Sequence, residues 1–217
     1  MLSKKTESLS DLAYNHIKEN ILNLKYSPGS ILTESGLAAE LNMSRMPIRT
    51  AVIALENEGL LISEHYKSIK VKEITEKDIL EIYQLRELLE VNALKMIFEL
   101  KKTYEYSYRI EEKTVRMRAA QNDFYKWEKA DTELHMEIVS IYENERINRI
   151  YNNNQDELVR IGILSKKSKD HVEHINKRLD KFVECIRNNI YDEALEILMI
   201  DHITSGKDMA LKQIGKK

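Results

Sequence analysis

Two arginines at the start of one short helical segment have the chemistry to read the edge of a DNA base. Arg45 and Arg49 stand four positions apart, so both project from the same face of a helix. An arginine can donate two hydrogen bonds to O6 and N7 of guanine, a contact worth roughly 1–3 kcal/mol of discrimination. Ser44 precedes them, where it can cap the helix and also bond a phosphate. These residues predict a helix that enters a DNA groove.

A second group of residues has the side-chain types of a metal site. Asp131 and His135 stand four positions apart on one predicted helix, so a single ion can touch both. His174 and His202 follow on later helices, and His171 is a nearby alternative. One carboxylate and three imidazoles suit zinc, nickel or manganese, with positions left open for a carboxylate ligand. The competing interpretation is an Asp–His pair on a helix face and scattered polar histidines.

The segment that carries the arginines has the spacing of a winged helix-turn-helix. Three helices and then a hairpin of two short strands are predicted over residues 10–24, 33–41, 44–58, 60–63 and 69–72. Ser10 is the predicted cap of the first helix, and Gly59 lies just past the end of the third. Pro47 falls in the first turn of that third helix, where its missing N–H costs nothing.

Beyond residue 72 the apolar pattern is helical throughout. Thr75 is the predicted cap of a long helix, and the helices are expected over residues 76–100, 106–121, 124–142, 145–164, 169–188 and 191–212. The sequence therefore predicts a mainly α protein with a winged helix-turn-helix domain at 1–72 and an all-helical domain at 73–217.

Composition fits a globular protein but does not by itself indicate a nucleic-acid binder. Hydrophobic residues make up 42% and charged residues 32%, and the formal net charge is −2. Residues 1–72 contain nine Lys and Arg against eight Asp and Glu, so any DNA contact depends on local placement of basic side chains. The single cysteine, Cys185, excludes an intrachain disulfide framework. With no signal-peptide-like stretch and no apolar run near ~20 residues, we expect a cytoplasmic location and no membrane partner.

The order of these motifs resembles the GntR family of bacterial transcription regulators, in its FadR-like branch with an FCD effector domain. The resemblance lies in the stretches YSPG at 26–29, LAAEL at 37–41, SRMPIR at 44–49, EGLL at 58–61 and IYQLRELLE at 82–90. It extends from residue 10 to about residue 202, and its N-terminal part is the more specific. The resemblance implies a winged helix-turn-helix followed by an all-helical FCD bundle.

For the DNA-binding domain, the resemblance implies that Arg45 and Arg49 read bases and phosphates and that the wing tip enters the minor groove. Two residues depart from the family pattern: Thr50 stands where Glu is usual, and Ser68 stands near the wing tip where Gly is usual. Both departures are expected to alter the operator sequence. The candidate DNA contacts are Ser44, Arg45, Met46, Arg49, Thr50, Lys67 and Ser68.

For the helical domain, the resemblance implies a divalent metal held by one Asp and three His, as in many FCD domains. Asp131 and His135 match the Asp-x3-His pattern, and His202 matches the last ligand, with Asp201 as its rival. The candidate metal ligands are Asp131, His135, His174 and His202.

The middle ligand of that pattern leaves two alternatives open. Leu179 stands at the position expected for a histidine, and His174 lies five residues earlier, which is more than one helical turn. Either the helix is shifted, so that His174 or His171 serves, or the site is incomplete.

An arginine in the first FCD helix often faces the cavity and holds a carboxylate effector in this family, which points to Arg86 as an effector-binding residue. The spacing of Arg86 and Glu90 supports equally an i, i+4 ion pair on a solvated face.

The predicted function is a homodimeric, sequence-specific transcription regulator, a repressor bound to a palindromic operator and controlled by a small carboxylate. Two other functions compete with it. One is a metal-dependent helical enzyme, in which Asp131 and His135 help to activate water, although no carboxylate is evidently placed as a general base beside them. The other is a protein-interaction module whose winged domain contacts protein. We expect that the chain is not an enzyme.

Overall fold

A computed structural model describes residues 7–63, 68–165 and 168–215 of the chain. Contacts divide the chain into two units, Met1–Ile74 and Thr75–Lys217. Within the described ranges, no helix combines the length and the apolar character that crossing a membrane requires.

The described part of the N-terminal unit combines helices with a small antiparallel sheet. In chain order its elements are α1 (Leu9–Leu22), β1 (Ile31–Thr33), α2 (Glu34–Glu40), α3 (Arg45–Asn57), β2 (Leu61–Ser63) and β3 (Ser68–Val71). The central strand is β3, whose Ile69 pairs with Leu32 of β1 on one side and with Ser63 of β2 on the other. This order of helices and strands confirms the predicted winged helix-turn-helix.

Two features of this unit differ from the sequence prediction. The cap of α1 is Ser8 rather than Ser10, because Ser8 and Asp11 bond each other's backbone N–H groups at 3.1 Å in a capping box. Strand β1 has no counterpart in the prediction, since three residues are too few to show an alternating pattern.

Apolar side chains of α1 and α3 form the core of the N-terminal unit. Ile17 and Ile21 of α1 are fully buried, as are Ile48 and Leu55 of α3. Gly59 follows α3 with φ of +74°, a left-handed conformation that glycine adopts without a Cβ penalty. Because the core takes one face of α3, the opposite face is left to the solvent.

The described part of the C-terminal unit is helical. Its α-helices are α4 (Glu76–Glu99), α5 (Thr103–Ala119), α6 (Phe124–Val139), α7 (Glu145–Asn153), α8 (Gln155–Leu164), α9 (Lys169–Arg187), α10 (Tyr191–Glu196) and α11 (Ser205–Ile214). A 3-10 turn, Ser140–Tyr142, follows α6, and a π-helical segment, Ile197–Thr204, joins α10 to α11. These elements confirm the predicted mainly α class with an all-helical second part.

Two predicted helices of this unit are interrupted. The helix expected over residues 145–164 breaks at Asn154, whose side chain donates to the Ile150 carbonyl at 2.7 Å and so competes with the helical backbone pattern. The helix expected over residues 191–212 contains the π-helical segment, which carries Asp201 and His202. Wider winding of this kind is frequent at functional sites.

The helices of the C-terminal unit surround a small internal cavity of about 20 Å³, which has room for one water molecule or one ion. Thr75 caps α4 as predicted: its N–H donates to Asp78 Oδ2 at 2.8 Å, and the Asp78 N–H donates to Thr75 Oγ1 at 3.1 Å. Helix α4 packs on α6 and on the π-helical segment beside the cavity, and these three elements supply most of its polar side chains.

Candidate DNA-binding face and buried polar site

The face of α3 that points away from the core carries five of the predicted DNA contacts. Its exposed residues, which we call the reading face, are Ser44, Arg45, Met46, Arg49 and Thr50. The opposite face is buried and consists of Pro47, Ile48, Ala51, Val52 and Leu55. Burial of that apolar face fixes the orientation of the helix. The guanidinium groups of Arg45 and Arg49 therefore extend into solvent from a helix that is held in place by the core.

Ser44 differs from the other serine and threonine caps of the N-terminal unit. It occupies the N-cap position of α3, but its hydroxyl accepts no capping hydrogen bond. By contrast, Thr33 Oγ1 accepts from the Gly36 N–H at 3.0 Å in α2. The predicted capping bond of Ser44 is therefore absent, and its hydroxyl remains placed to bond a phosphate.

A groove of about 200 Å³ lies between α3 and the strands β2 and β3. Arg49 and Ser68, both predicted DNA contacts, line it together, with Glu34 and Glu56 also on its walls. Lys67, the other predicted contact of the wing, lies outside the described residues. The structure thus brings the second arginine of the reading face next to the start of β3.

Four buried side chains form a polar cluster inside the C-terminal unit. Arg86 Nε donates to Glu90 Oε1 at 2.8 Å, one turn away on α4. Glu90 Oε2 lies 2.6 Å from Nδ1 of His135 on α6, and Arg86 Nη2 lies 2.6 Å from Nε2 of the same ring. Tyr151 of α7 donates its hydroxyl to Glu90 Oε1 at 2.8 Å. We call Arg86, Glu90, His135 and Tyr151 the polar cluster.

Mutual pairing keeps the carboxylate and the guanidinium of the polar cluster charged despite burial. Burial alone would raise the pKa of Glu90, but Arg86 and His135 outweigh it and lower that pKa to about 2. Burial would likewise lower the pKa of Arg86, and the Glu90 carboxylate holds it above its usual value. Because a guanidinium has only donors, the contact with Arg86 makes Nε2 of His135 an acceptor and leaves the Nδ1 proton for Glu90.

Asp131 lies near the same nitrogen of His135 that Arg86 contacts, and His202 lies near Asp131. Asp131 Oδ2 lies 3.6 Å from His135 Nε2, and Asp131 Oδ1 lies 3.8 Å from His202 Nδ1. Taking one donor atom from each residue, all three atoms lie within 4.8 Å of one another, and all three residues are buried. The structure therefore brings together three of the four residues predicted to hold a metal.

The fourth predicted ligand, His174, lies outside this group. Its side chain is 60% exposed, and its Nε2 is 4.0 Å from Asp201 Oδ1. Asp201, the rival of His202, accepts instead from Arg178 Nε at 2.6 Å. Leu179 is buried on the inward face of α9, which leaves His174 on the outward face, and the half-buried His171 does not join the donors either. Among the described residues, no histidine of α9 reaches the site.

Glu90 and Tyr151 are members of the polar cluster that sequence reasoning missed. The Arg86–Glu90 ion pair exists, but it is buried rather than on a solvated face. A signal was present, because Arg86 and Glu90 continue the inward stripe from Tyr83 to Leu94 at steps of three and four residues. Tyr151 had no such signal, since it reaches Glu90 across 61 positions of the chain.

The donors Asp131, His135 and His202 fit a divalent metal in kind and spacing. Imidazole and carboxylate are ligands that zinc, nickel and manganese accept. Glu90 also orients His135 through Nδ1, as carboxylates commonly do for metal-bound histidines. One neighbour conflicts with a metal, because Arg86 Nη2 already donates to His135 Nε2, the nitrogen that faces Asp131.

Two comparisons with families cover most of the chain. Residues 9–71 match the bacterial regulatory proteins of the gntR family, and residues 81–205 match the FCD domain. The first stretch contains the reading face of α3, and the second contains the polar cluster and the three metal donors.

Curated relatives and solved structures agree with these matches. The chain is 36% identical over 86 residues to the uncharacterized HTH-type transcriptional regulator YdhC of Bacillus subtilis (strain 168), covering 40% of this chain and only 38% of that protein. It is 27% identical over 177 residues to the gluconate operon transcriptional repressor of the same organism, covering 78% of this chain and 71% of that protein. The structure of Lar, described as controlling expression of the Listeria monocytogenes agr system, shares the fold with a TM-score of 0.68 at 19% identity, covering 96% and 99% of the two chains.

The two curated relatives are named as transcriptional regulators rather than as enzymes, in agreement with the predicted function. The order of the two family matches along this chain, gntR first and FCD second, is the order of the winged and helical units in this structure. The chain belongs to the gntR family of bacterial regulatory proteins and carries an FCD domain in its C-terminal unit.

Proposed function

We propose that this chain is a sequence-specific DNA-binding transcription regulator, a repressor, that responds to a small carboxylate effector. The observation that carries the proposal is the reading face of α3, which holds Arg45 and Arg49 exposed one turn apart above a buried apolar face. The gluconate operon relative is named a repressor, which supports the sign of regulation. Such a protein works in the cytoplasm, where the chromosome lies.

In this proposal the winged unit, residues 1–72, supplies both specificity and anchoring. Arg45 and Arg49 bond guanine edges or phosphates in the major groove, while Ser44 bonds a phosphate at the helix start. Met46 and Thr50 add shape and apolar contact, because Met46 is 70% exposed on the same face. Lys67 and Ser68 contact the flanking DNA from the wing.

A homodimer on a palindromic operator is the arrangement that this reading face suits best. One α3 helix covers only a few base pairs, so two copies related by a two-fold axis double the contacts and match an inverted repeat. Dimerisation is assigned to the FCD unit, residues 73–217. An effector that favours one spacing of the two winged units then changes operator affinity.

The internal cavity of the FCD unit is the proposed effector site, and Arg86 is the proposed anchor for a carboxylate. Arg86, Asp131 and His202 all line this cavity. Its volume of about 20 Å³ admits little more than one ion, so binding of a metabolite requires the cavity to open. A divalent metal, zinc, nickel or manganese, would be held by Asp131, His135 and His202 and would supply positive charge to orient the carboxylate.

DNase I footprinting of the full chain on the upstream region of its own gene tests the proposal. We expect a protected inverted repeat, and we expect one member of a panel of small carboxylates to change the protection. The double variant Arg45→Ala/Arg49→Ala should lose the footprint. Its matched control is Arg146→Ala/Arg149→Ala, which removes two exposed arginines from α7 and should keep it. Protection by the reading-face variant equal to that of the wild type would overturn the proposal.

A further inference from the structure

The geometry points to competition between the Arg86 guanidinium and a divalent metal for Nε2 of His135. Either the guanidinium or the metal contacts that nitrogen, but not both at once. This inference rests on the proposed metal site of the FCD unit. It concerns the regulation of that site, namely what a metal must displace in order to enter.

The competition follows from the valence of one nitrogen atom. His135 has two ring nitrogens, and Nδ1 is engaged by Glu90 Oε2 at 2.6 Å. The other nitrogen, Nε2, has a single lone pair in the ring plane, and Arg86 Nη2 lies 2.6 Å from it as a donor. A metal needs the same lone pair to form a bond of about 2.0–2.1 Å. His135 can therefore accept from Arg86 or coordinate a metal, but not both.

Charge repulsion also prevents a metal ion and the Arg86 guanidinium from contacting His135 Nε2 at the same time. A dication on Nε2 would lie within a few ångströms of the Arg86 guanidinium, and the two positive charges would repel each other in a buried site of low dielectric constant. Two further contacts stabilise Arg86 in this position. Its Nε donates to Glu90 at 2.8 Å, and the centroid of the Tyr83 ring lies 5.2 Å from its Cζ. The metal-free state is thus stabilised by a cation already in place.

Displacement of the guanidinium has a consequence for ligand binding. The guanidinium is planar and rigid, so Nη2 leaves His135 only when the whole group rotates away, and the Arg86 side chain lines the cavity. A metal that enters would therefore release an anion-binding group into the same cavity. Binding should then be ordered, with the metal first and an anionic ligand second.

The test is a calorimetric titration of the full, metal-stripped chain with zinc alone, which measures the zinc dissociation constant. Arg86→Gln keeps an amide that can bond Glu90 but removes the competing charge, so its zinc dissociation constant should fall about tenfold or more below that of the wild type. Arg116→Gln, which makes the same change at an exposed position of α5, should bind zinc within about twofold of the wild type. Adding His202→Ala to Arg86→Gln should abolish the gain if the zinc occupies the proposed donors. An Arg86→Gln protein that binds zinc no tighter than the wild type overturns the inference.

A second measurement keeps the test decisive if Arg86→Gln fails to fold. In the wild-type chain, nitrogen NMR should show the Arg86 side-chain signals and the His135 ring signals changing together, with the same dependence on zinc concentration. Zinc binding to His135 with the Arg86 signals unmoved would contradict the exchange. Neither measurement uses DNA, so a missing operator footprint would count against the proposed function alone.

Discussion

Glu90 and His135 lie 45 positions apart in the chain, and a contact of 2.6 Å between Oε2 and Nδ1 joins them. The same carboxylate accepts from Arg86 and from Tyr151. Glu90 therefore links three helices, α4, α6 and α7, through one buried charge. The stability of the FCD unit should depend on this carboxylate more than on any exposed acidic residue.

Replacement of Glu90 by Gln should be severely destabilising. The substitution leaves the Arg86 guanidinium buried without its counter-ion, and removing one partner of a buried pair costs about 3–5 kcal/mol. Urea denaturation at one fixed protein concentration measures the free energy of unfolding. Glu99→Gln on the same helix is the matched control, since Glu99 is exposed and its contact with Lys95 is 3.5 Å long. That control should change stability by less than about 0.5 kcal/mol, and an equally small effect at Glu90 would show that the charge is dispensable.

Replacement of Arg49 by Ala should reduce operator affinity to the level of non-specific DNA while leaving the fold intact. Arg49 is exposed on the reading face, so its loss removes base or phosphate contacts worth roughly 1–3 kcal/mol in each half-site but little packing. Fluorescence anisotropy with operator and scrambled duplexes measures the difference, and circular dichroism checks the fold. Arg146→Ala serves as the control for lost surface charge. An unchanged ratio of operator to scrambled affinity in Arg49→Ala would refute the assignment.

Two helix caps should respond differently to the same substitution. Thr75→Ala removes a capping box from α4 and should cost about 1 kcal/mol of unfolding free energy. Ser44→Ala removes a hydroxyl that makes no capping bond, so stability should stay near the wild-type value while operator affinity falls. Thermal unfolding and anisotropy on both variants separate the two effects. A loss of stability at Ser44 as large as that at Thr75 would mean that its hydroxyl caps α3 after all.

The single thiol should be unreactive in the folded chain at ordinary pH. Cys185 is fully buried, and burial raises the pKa of its thiol to about 11. The reactive thiolate at pH 8 is then at least about a hundredfold scarcer than in an unfolded chain, where the pKa is near 8.5. An aromatic disulfide reagent should label native protein that much more slowly than protein in guanidinium chloride. Because the folded pKa is raised, this group's contribution to stability is present below about pH 8.5 and is lost as the pH rises toward 11. Equal rates in the two states would contradict the burial of Cys185.

Local signals accounted for the winged unit and for most helices. The sequence around α3 was sufficient to predict this helix, because each signal depends only on nearby residues. These signals are Pro47 at the helix start, the spacing of the buried Ile48 and Leu55, and Gly59 past the helix end. Strand β1 escaped detection because its three residues are defined only by pairing with β3.

The buried site shows where sequence reasoning reaches its limit. Asp131 and His135 were found from their spacing on one helix, and His202 from the family resemblance. His174 was chosen on residue type, but the rotation of α9 places its side chain outside the unit. Glu90 was taken for one half of a possible surface pair, and the structure buries it against His135.

The sequence by itself determined that this chain has a winged DNA-reading unit and a helical second unit. Helix periods, caps and turn residues are local, so neighbours along the chain are sufficient to specify them. Only the tertiary structure decided that Arg86 donates to the imidazole nitrogen that a metal would need, and that His202 faces Asp131 from a π-helical segment. These contacts depend on how each helix is rotated about its axis when it packs, and that rotation is set by partners far away in the sequence.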